Sequence, residues 1–230
     1  RTMALMLALV RQVVQDDRAL REGRWQTTVG TELGGKTLGI VGFGRIGSRI
    51  ATLMRPWKMR ILATDPYVPD TKFTEHGVTR VDLDTLLRES DVVSLHVVLT
   101  RETRGMIGSR ELGLMKPTAI LINTSRGPCV QEVALTEALL RGQIAGASLD
   151  VFEHEPLSLD SPLRNLGDRV LLSPHMVSSN FGSGLGPGIR WATESVLHAL
   201  RGEVPDNVYN KDVIPRWQSR FGGTSVWEGR

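Results

Sequence analysis

The sequence predicts an α/β chain built on a doubly wound parallel sheet with helices on both faces, and three observations carry that prediction. Short apolar runs recur between residues 37 and 172, separated by stretches with helical composition. A glycine turn, Gly42-x-Gly44-x-x-Gly47, follows the first of these runs and opens a helix. The next run ends on an acid, Asp65. Strands spaced by helices make right-handed βαβ units, so the sheet is parallel and covered on both sides.

Thr2 to Leu20 reads as one leading helix. Met3, Leu5, Met6, Leu7, Leu9 and Val10, then Val13 and Val14, make its first half apolar on most sides. Such a helix needs cover, either in the core or at a subunit interface. Arg21 to Lys36 is a polar loop with Trp25 as its expected anchor.

Thr37 to Val41 is a buried strand by its apolar run and glycine flanks. Gly42 allows a tight turn, Gly44 lets a pyrophosphate approach the backbone, and Gly47 lets the helix pack close to the strand. Arg45 to Arg55 is the helix, ended by Pro56. Its first amides, near Arg45 and Ile46, present the positive end of the helix dipole to phosphate. Met59 to Ala63 is the second strand. Asp65 lies 23 positions after Gly42 (65 − 42), close to the ~20 expected of a carboxylate that bonds a ribose 2′-OH. Pro66 and Tyr67 follow, with no adjacent cation to receive a 2′-phosphate. The unit is therefore a dinucleotide-binding Rossmann fold, and the cofactor it favours is NAD over NADP.

The alternation continues. Thr71 to His76 is a weak helix and Gly77 to Val81 a short strand. Leu83 to Glu89 is a helix with Asp82 as N-cap, and Asp91 to Val98 an apolar strand. Ser109 to Met115 is a short helix and Ala119 to Asn123 a buried strand. Val130 to Arg141 is a helix closed by Gly142; Ile144 to Val151 and Val170 to Leu172 are strands. After His175 the glycine-rich run Ser178 to Gly188 has the composition of a hinge. Ile189 to Leu200 is an amphipathic helix. The tail from Val204 reads as irregular, with Trp217, Phe221 and Trp227 in need of packing partners. The expected domains are 1–180, a nucleotide-binding domain, and 181–230, a hinge, helix and tail that belong to or contact a second domain.

The 230 residues suffice for one large α/β domain with an appendage. Apolar residues at 40% and charged ones at 23% are those of a soluble globular protein. A net charge of +3 is scattered among acids and aromatic content is 5%, which argues against a nucleic-acid partner. Cys129 is the sole cysteine, so no internal disulfide forms, and it reads as a buried thiol. The Met3–Val10 stretch is too short to span a bilayer, no signal peptide is visible, and a cytoplasmic address follows. No metal-ligand spacing is present. A first residue of Arg1 rather than Met suggests a fragment or a processed chain.

Ligands of open α/β sheets bind beyond the carboxyl ends of the strands. His96 and Thr100 sit there after one strand. Thr124, Ser125 and Arg126 follow another. Asp150, Glu153, His154 and Glu155 follow a third, and His175 a fourth. The set suits hydride transfer at a hydroxyl-bearing carbon. His175 can move the hydroxyl proton. A carboxylate beside it, Glu155, can orient its ring, but Glu153, His154 and Asp150 compete for the same roles, because composition does not rank neighbours. Arg126 can hold a substrate carboxylate through two parallel hydrogen bonds. Each residue also has a structural reading: Arg126 as a counter-charge to phosphate, Glu155 as a turn residue, His175 as a backbone-bonded histidine.

Gly39-Ile-Val-Gly-Phe-Gly-Arg-Ile-Gly47, Asp65-Pro-Tyr67, Leu95-His-Val-Val-Leu-Thr100, Ile122-Asn-Thr-Ser-Arg-Gly127, Leu149-Asp-Val-Phe-Glu-His-Glu-Pro156 and Ser173-Pro-His175 together resemble the D-isomer-specific 2-hydroxyacid dehydrogenases. The resemblance runs from Thr2 to about Asn210. It implies an NAD-dependent oxidoreductase acting on D-2-hydroxy and 2-oxo acids. Arg126 would bind the substrate carboxylate, Glu155 would partner the histidine, and His175 would be the acid/base. NAD contacts would come from the glycine turn, Arg45, Ile46, Asp65, His96, Thr100, Thr124, Ser125, Arg126, Asp150, His175 and Ser178. The resemblance also implies a homodimer joined through the nucleotide domain. Family chains open with most of a smaller substrate domain, which this sequence lacks, so the fragment alone is expected to bind NAD without turnover. Val98 stands where the family usually has Pro, and the loop Met176 to Phe181 is an uncommon form. Two other classes compete: an NAD-sensing corepressor without turnover, and another NAD enzyme with a similar nucleotide half, such as an adenosylhomocysteine hydrolase, against which Ser-Pro-His175 speaks.

Overall fold

A computed structural model describes residues 2–25, 29–176 and 186–226. The chain divides into two compact units, 1–177 and 178–230.

The first unit is a seven-stranded sheet, all parallel. Its strands are β1 (Thr37–Val41), β2 (Arg60–Thr64), β3 (Thr79–Arg80), β4 (Val92–Leu95), β5 (Ile120–Asn123), β6 (Gly146–Leu149) and β7 (Val170–Leu172), in the order β3-β2-β1-β4-β5-β6-β7. The winding reverses between β1 and β4, which makes the crevice beyond those two strands the place where a dinucleotide fits. β1, β4, β5 and β6 are buried throughout. They read as continuous apolar runs because both faces are covered.

The helices are α1 (Thr2–Val10), α2 (Val13–Arg21), α3 (Arg45–Met54), α4 (Asp70–Glu75), α5 (Leu83–Glu89), α6 (Ser109–Leu114) and α7 (Glu132–Leu140). Two apolar layers follow from the alternation of side chains along each strand. One holds Leu38, Ile40, Val92 and Ile122 with Met6, Leu9, Ile50, Met54 and Phe73 of α1, α3 and α4. The other holds Val41, Val93, Leu95 and Leu121 with Leu86, Leu112, Leu135 and Leu139 of α5, α6 and α7. Asp82 caps α5 by accepting from the Thr85 N–H at 2.8 Å.

Three expectations are corrected. The leading helix 2–20 is two helices. Gln12 takes a left-handed conformation (φ 54°), and the Val10 carbonyl accepts from the Thr31 N–H at 2.7 Å instead of continuing the helix. α1 packs in the core, whereas α2 leaves Val13, Val14 and Leu20 exposed. Trp25 is 89% exposed and anchors nothing among the described residues.

The third correction concerns the second unit. It holds α8 (Gly186–Leu200), and its tail is folded rather than irregular. Asn210 accepts from the Asp212 N–H, a short 3-10 turn follows, and Pro215 fits the first turn of α9 (Ile214–Phe221). Trp217 and Phe221, four residues apart on one face of α9, pack ring to ring at 6.0 Å. The Gly223 and Val226 N–H groups return to the Gly202 and Leu200 carbonyls. Trp227 and most of the expected hinge lie outside the described residues.

Candidate active site

The glycine turn sits at the carboxyl end of β1. Gly42 is left-handed (φ 91°) and donates to the Thr64 carbonyl at 2.9 Å. A Cβ there would lie 2.8 Å from the His96 carbonyl. A Cβ on Gly47 would lie 2.1 Å from the Gly42 carbonyl oxygen, so α3 meets the turn only because Gly47 has none. A Cβ on Gly44 would point into open space, where a ligand can approach. Gly44 is the N-cap of α3 and has no side chain to cap it, which leaves the first-turn amides, including those of Arg45 and Ile46, facing outward for an anion.

Asp65 is bound to this turn. Its Oδ2 accepts from the Phe43 N–H at 2.8 Å and its Oδ1 from the Tyr67 N–H at 3.0 Å. The tertiary fold also places a cation that proximity in sequence does not reveal: Arg80 of β3 donates to the Asp65 carbonyl at 3.2 Å. The Tyr67 hydroxyl bonds Glu102, so the loops after β2 and β4 meet there.

His96 follows β4. Its N–H donates to the Val41 carbonyl at 2.7 Å and its Nε2 lies 2.9 Å from Ser94 Oγ. Burial pushes its imidazole down to about 4, so it is neutral near pH ~7. Thr100 is bound within its own loop, to Thr103. Thr124 and Ser125 are buried after β5. Thr124 Oγ1 lies 2.8 Å from Thr2 Oγ1, which ties the start of α1 to the crevice.

Asn123 shapes the loop that carries Arg126. Its Nδ2 donates to the Arg126 carbonyl at 3.0 Å, and its Oδ1 accepts from the Ser125 N–H and hydroxyl. Arg126 is exposed, and one Nη1 donor binds the Ser125 carbonyl at 2.7 Å. Gly127 then abuts the next loop, since a Cβ on it would fall 1.8 Å from the Phe152 carbonyl oxygen. Asn123 and Gly127 also shape the site, and neither is among the candidate site residues the sequence nominates. An Asn at a strand end with Ser two residues on is a signal for Asn123. Gly127 gives none, because its partner lies 25 residues on in the chain.

The acids after β6 take separate partners. Asp150 is fully buried; its Oδ1 accepts from the Met176 N–H at 3.0 Å, and its Oδ2 has no partner among the described residues. Glu153 accepts from the Glu132 N–H. Glu155 Oε2 lies 2.7 Å from His175 Nδ1, and its Oε1 accepts from the Phe152 N–H at 3.0 Å. Burial pushes the Glu155 carboxyl up. The His175 and Phe152 bonds and the charges of His175 and Arg126 outweigh it and hold the group below the usual carboxylate range. His175 itself is left-handed (φ 52°), a backbone strain that collects at functional sites.

Thus β5, β6 and β7, adjacent in the sheet, deliver Arg126, Glu155 and His175. Glu155 and His175 meet directly; no hydrogen bond joins Arg126 to either. A cavity of about 550 Å³ beside the pair is lined by Phe152, Glu155, Leu157, Leu172, Pro174 and His175. The crevice suits a dinucleotide: open space at Gly44, uncapped amides on α3, a fixed acid at Asp65 and the partnerless buried Oδ2 of Asp150. Ser178 lies outside the described residues. Among the described residues, no group of His, Cys, Asp and Glu is placed to hold a metal, and no helix is long and apolar enough to cross a membrane.

Comparison with known proteins places this geometry. Residues 3–177 match the family model of the D-isomer specific 2-hydroxyacid dehydrogenase, NAD binding domain. The chain is 45% identical over 217 residues to a glyoxylate reductase of Korarchaeum cryptofilum, covering 92% of this chain and 65% of that protein. It is 41% identical over 210 residues to a D-3-phosphoglycerate dehydrogenase of Archaeoglobus fulgidus, covering 90% and 40%. The NAD-complexed D-isomer specific 2-hydroxyacid dehydrogenase of Lactobacillus delbrueckii ssp. bulgaricus superposes with a TM-score of 0.80 at 28% identity, over 91% of this chain and 68% of that one. The chain therefore spans two thirds or less of the length of these two curated relatives.

Proposed function

Because the chain belongs to the D-isomer-specific 2-hydroxyacid dehydrogenase family, matching its NAD-binding domain, we propose that it is the cofactor half of an oxidoreductase that interconverts a D-2-hydroxy acid and its 2-oxo acid. The observation that carries the reading is the 2.7 Å contact between His175 and Glu155 at the carboxyl ends of neighbouring strands. The glycine turn, the α3 amides, Asp65 and Asp150 hold the cofactor, with His96, Thr100, Thr124 and Ser125 around it. Bound NADH supplies the hydride for C2 of the oxo acid.

The chain's own residues manage the proton and the substrate. In the reducing direction His175 gives a proton to the C2 oxygen; in the oxidising direction it takes that proton back. Glu155, ionised and bonded to Nδ1, fixes the ring so that Nε2 faces the substrate. Arg126 has five donors, of which the Ser125 carbonyl takes one. Two of the remaining four serve the substrate carboxylate, which sets which carbon faces the cofactor. Residues 181–230 are read as belonging to or contacting a substrate domain. The whole protein is read as a cytoplasmic homodimer joined through the NAD-binding domain; exposed Val13, Val14 and Leu20 on α2 suit such a contact.

The test is a panel of glyoxylate, pyruvate and hydroxypyruvate with NADH and the full-length protein. Consumption of NADH with at least one acid is expected. NADH binding with no turnover on any of them would replace the enzyme by an NAD-sensing module.

A further inference from the structure

We infer that Glu132 and Glu153 are positioning residues: a reciprocal clasp between them locks the loop that carries Glu155 against the segment that carries Arg126. The inference rests on the roles proposed above for Arg126, Glu155 and His175, and deepens them.

Glu132 is the first residue of α7, so its N–H has no partner within the helix. Glu153 Oε1 accepts from it at 3.1 Å. The exchange is mutual, because Glu132 Oε1 accepts from the Glu153 N–H at 2.6 Å. Two acids are thereby brought together against their own repulsion. Burial pushes the Glu132 carboxyl up and the charge of Glu153 adds to that, while the Glu153 N–H and His154 oppose it. Solvated glutamates on loose loops would separate; here two main-chain amides, one at the positive end of a helix, hold them.

The neighbouring residue extends the lock. Gly127 lies so close to Phe152 that a Cβ would sit 1.9 Å from the Phe152 carbonyl carbon. Residues 152 and 153 are therefore pinned to 127 and 132. The Phe152 N–H in turn holds Glu155 Oε1 at 3.0 Å, and the other oxygen of Glu155 meets His175. On the facing side, Asn123 fixes the Arg126 carbonyl. The spacing between the Arg126 loop and the Glu155–His175 pair is thus set by contacts that touch neither substrate nor cofactor.

A plain helix-capping role would alter stability alone. The discriminating readout is the carbon-13 titration of the Glu155 side-chain carboxyl in the 230-residue chain, assigned with Glu155→Gln. Glu153→Ala and Glu132→Ala should each move that titration up, toward the ordinary ~4.3 of a glutamate, while Glu153→Gln, which keeps the accepting oxygen, leaves it in place. If Glu153→Ala does not fold, Glu132→Ala decides, since it leaves the α7 amide capped. A Glu155 titration unmoved in a folded alanine variant, with only a lower melting temperature, overturns the clasp. Absence of 2-oxo acid reduction by the wild-type full-length protein would overturn the reaction and leave this readout standing.

Discussion

His175 Nδ1 lies 2.7 Å from Glu155 Oε2, and the two residues come from loops after adjacent strands, β7 and β6. The carboxyl is held below its usual range, so it is ionised throughout the neutral range. Replacing Glu155 by Gln removes the carboxylate that holds Nδ1 of the ring. Turnover by the full-length protein should fall by about 10²-fold, with NADH affinity unchanged in a fluorescence titration. Equal turnover would remove Glu155 from the proposed mechanism.

Asp65 joins the glycine turn to the end of β2 and is the acid proposed for a ribose hydroxyl. A hydrogen bond to a charged group contributes about 1.5–3 kcal/mol, so Asp65→Ala should weaken NAD binding by about 10- to 100-fold in calorimetry. Discrimination against NADP should shrink as well, since Arg80 stays beside the vacated position. Unchanged NAD affinity would move the ribose contact elsewhere.

Asp91 works at the opposite end of the sheet. Its Oδ2 accepts from the Thr37 N–H at 2.8 Å and its Oδ1 from Lys116 Nζ at 3.0 Å. Burial pushes its carboxyl up, but the Thr37 amide and the charges of Lys116 and Lys36 prevail, and the folded value is lowered. A lowered folded value stabilises the fold above the unfolded pKa of ~3.9 and loses that contribution as pH falls through the folded value. Asp91→Asn should therefore cost about 1 kcal/mol near neutrality. The difference should shrink toward zero in urea titrations run well below pH ~4. A cost independent of pH would assign it to packing.

The sheet was legible because parallel strands buried on both faces are apolar runs, and turn glycines and an acid bracket the first two. Strand ends were less so. The run from Asp91 to Val98 ends as a strand at Leu95: His96 makes one last bond to Val41 before the chain turns away, and no residue type announces that. The break at Gln12 was hidden because its cause, the Thr31 amide, lies 19 residues further on. α9 was hidden for the opposite reason: its start chemistry is local, but a short stretch with Pro and Gly looked like loop.

In the candidate site, periodicity located the strand-end loops and residue chemistry nominated Arg126 and His175. Spacing left Asp150, Glu153 and Glu155 equal. The resemblance chose Glu155, and in the structure it is Glu155 that touches His175, while Glu153 meets Glu132 and Asp150 meets Met176. Gly127 and Glu132 were illegible because what they meet, Phe152 and Glu153, is brought to them only by the folded sheet.

The most direct measurement sets NADH binding beside NADH consumption for the full-length wild type and for His175→Ala, with the oxo acid on which the wild type is fastest. Comparable NADH affinity is expected in both proteins, with turnover abolished in the variant. A variant that binds NADH and still turns over at the wild-type rate would contradict it.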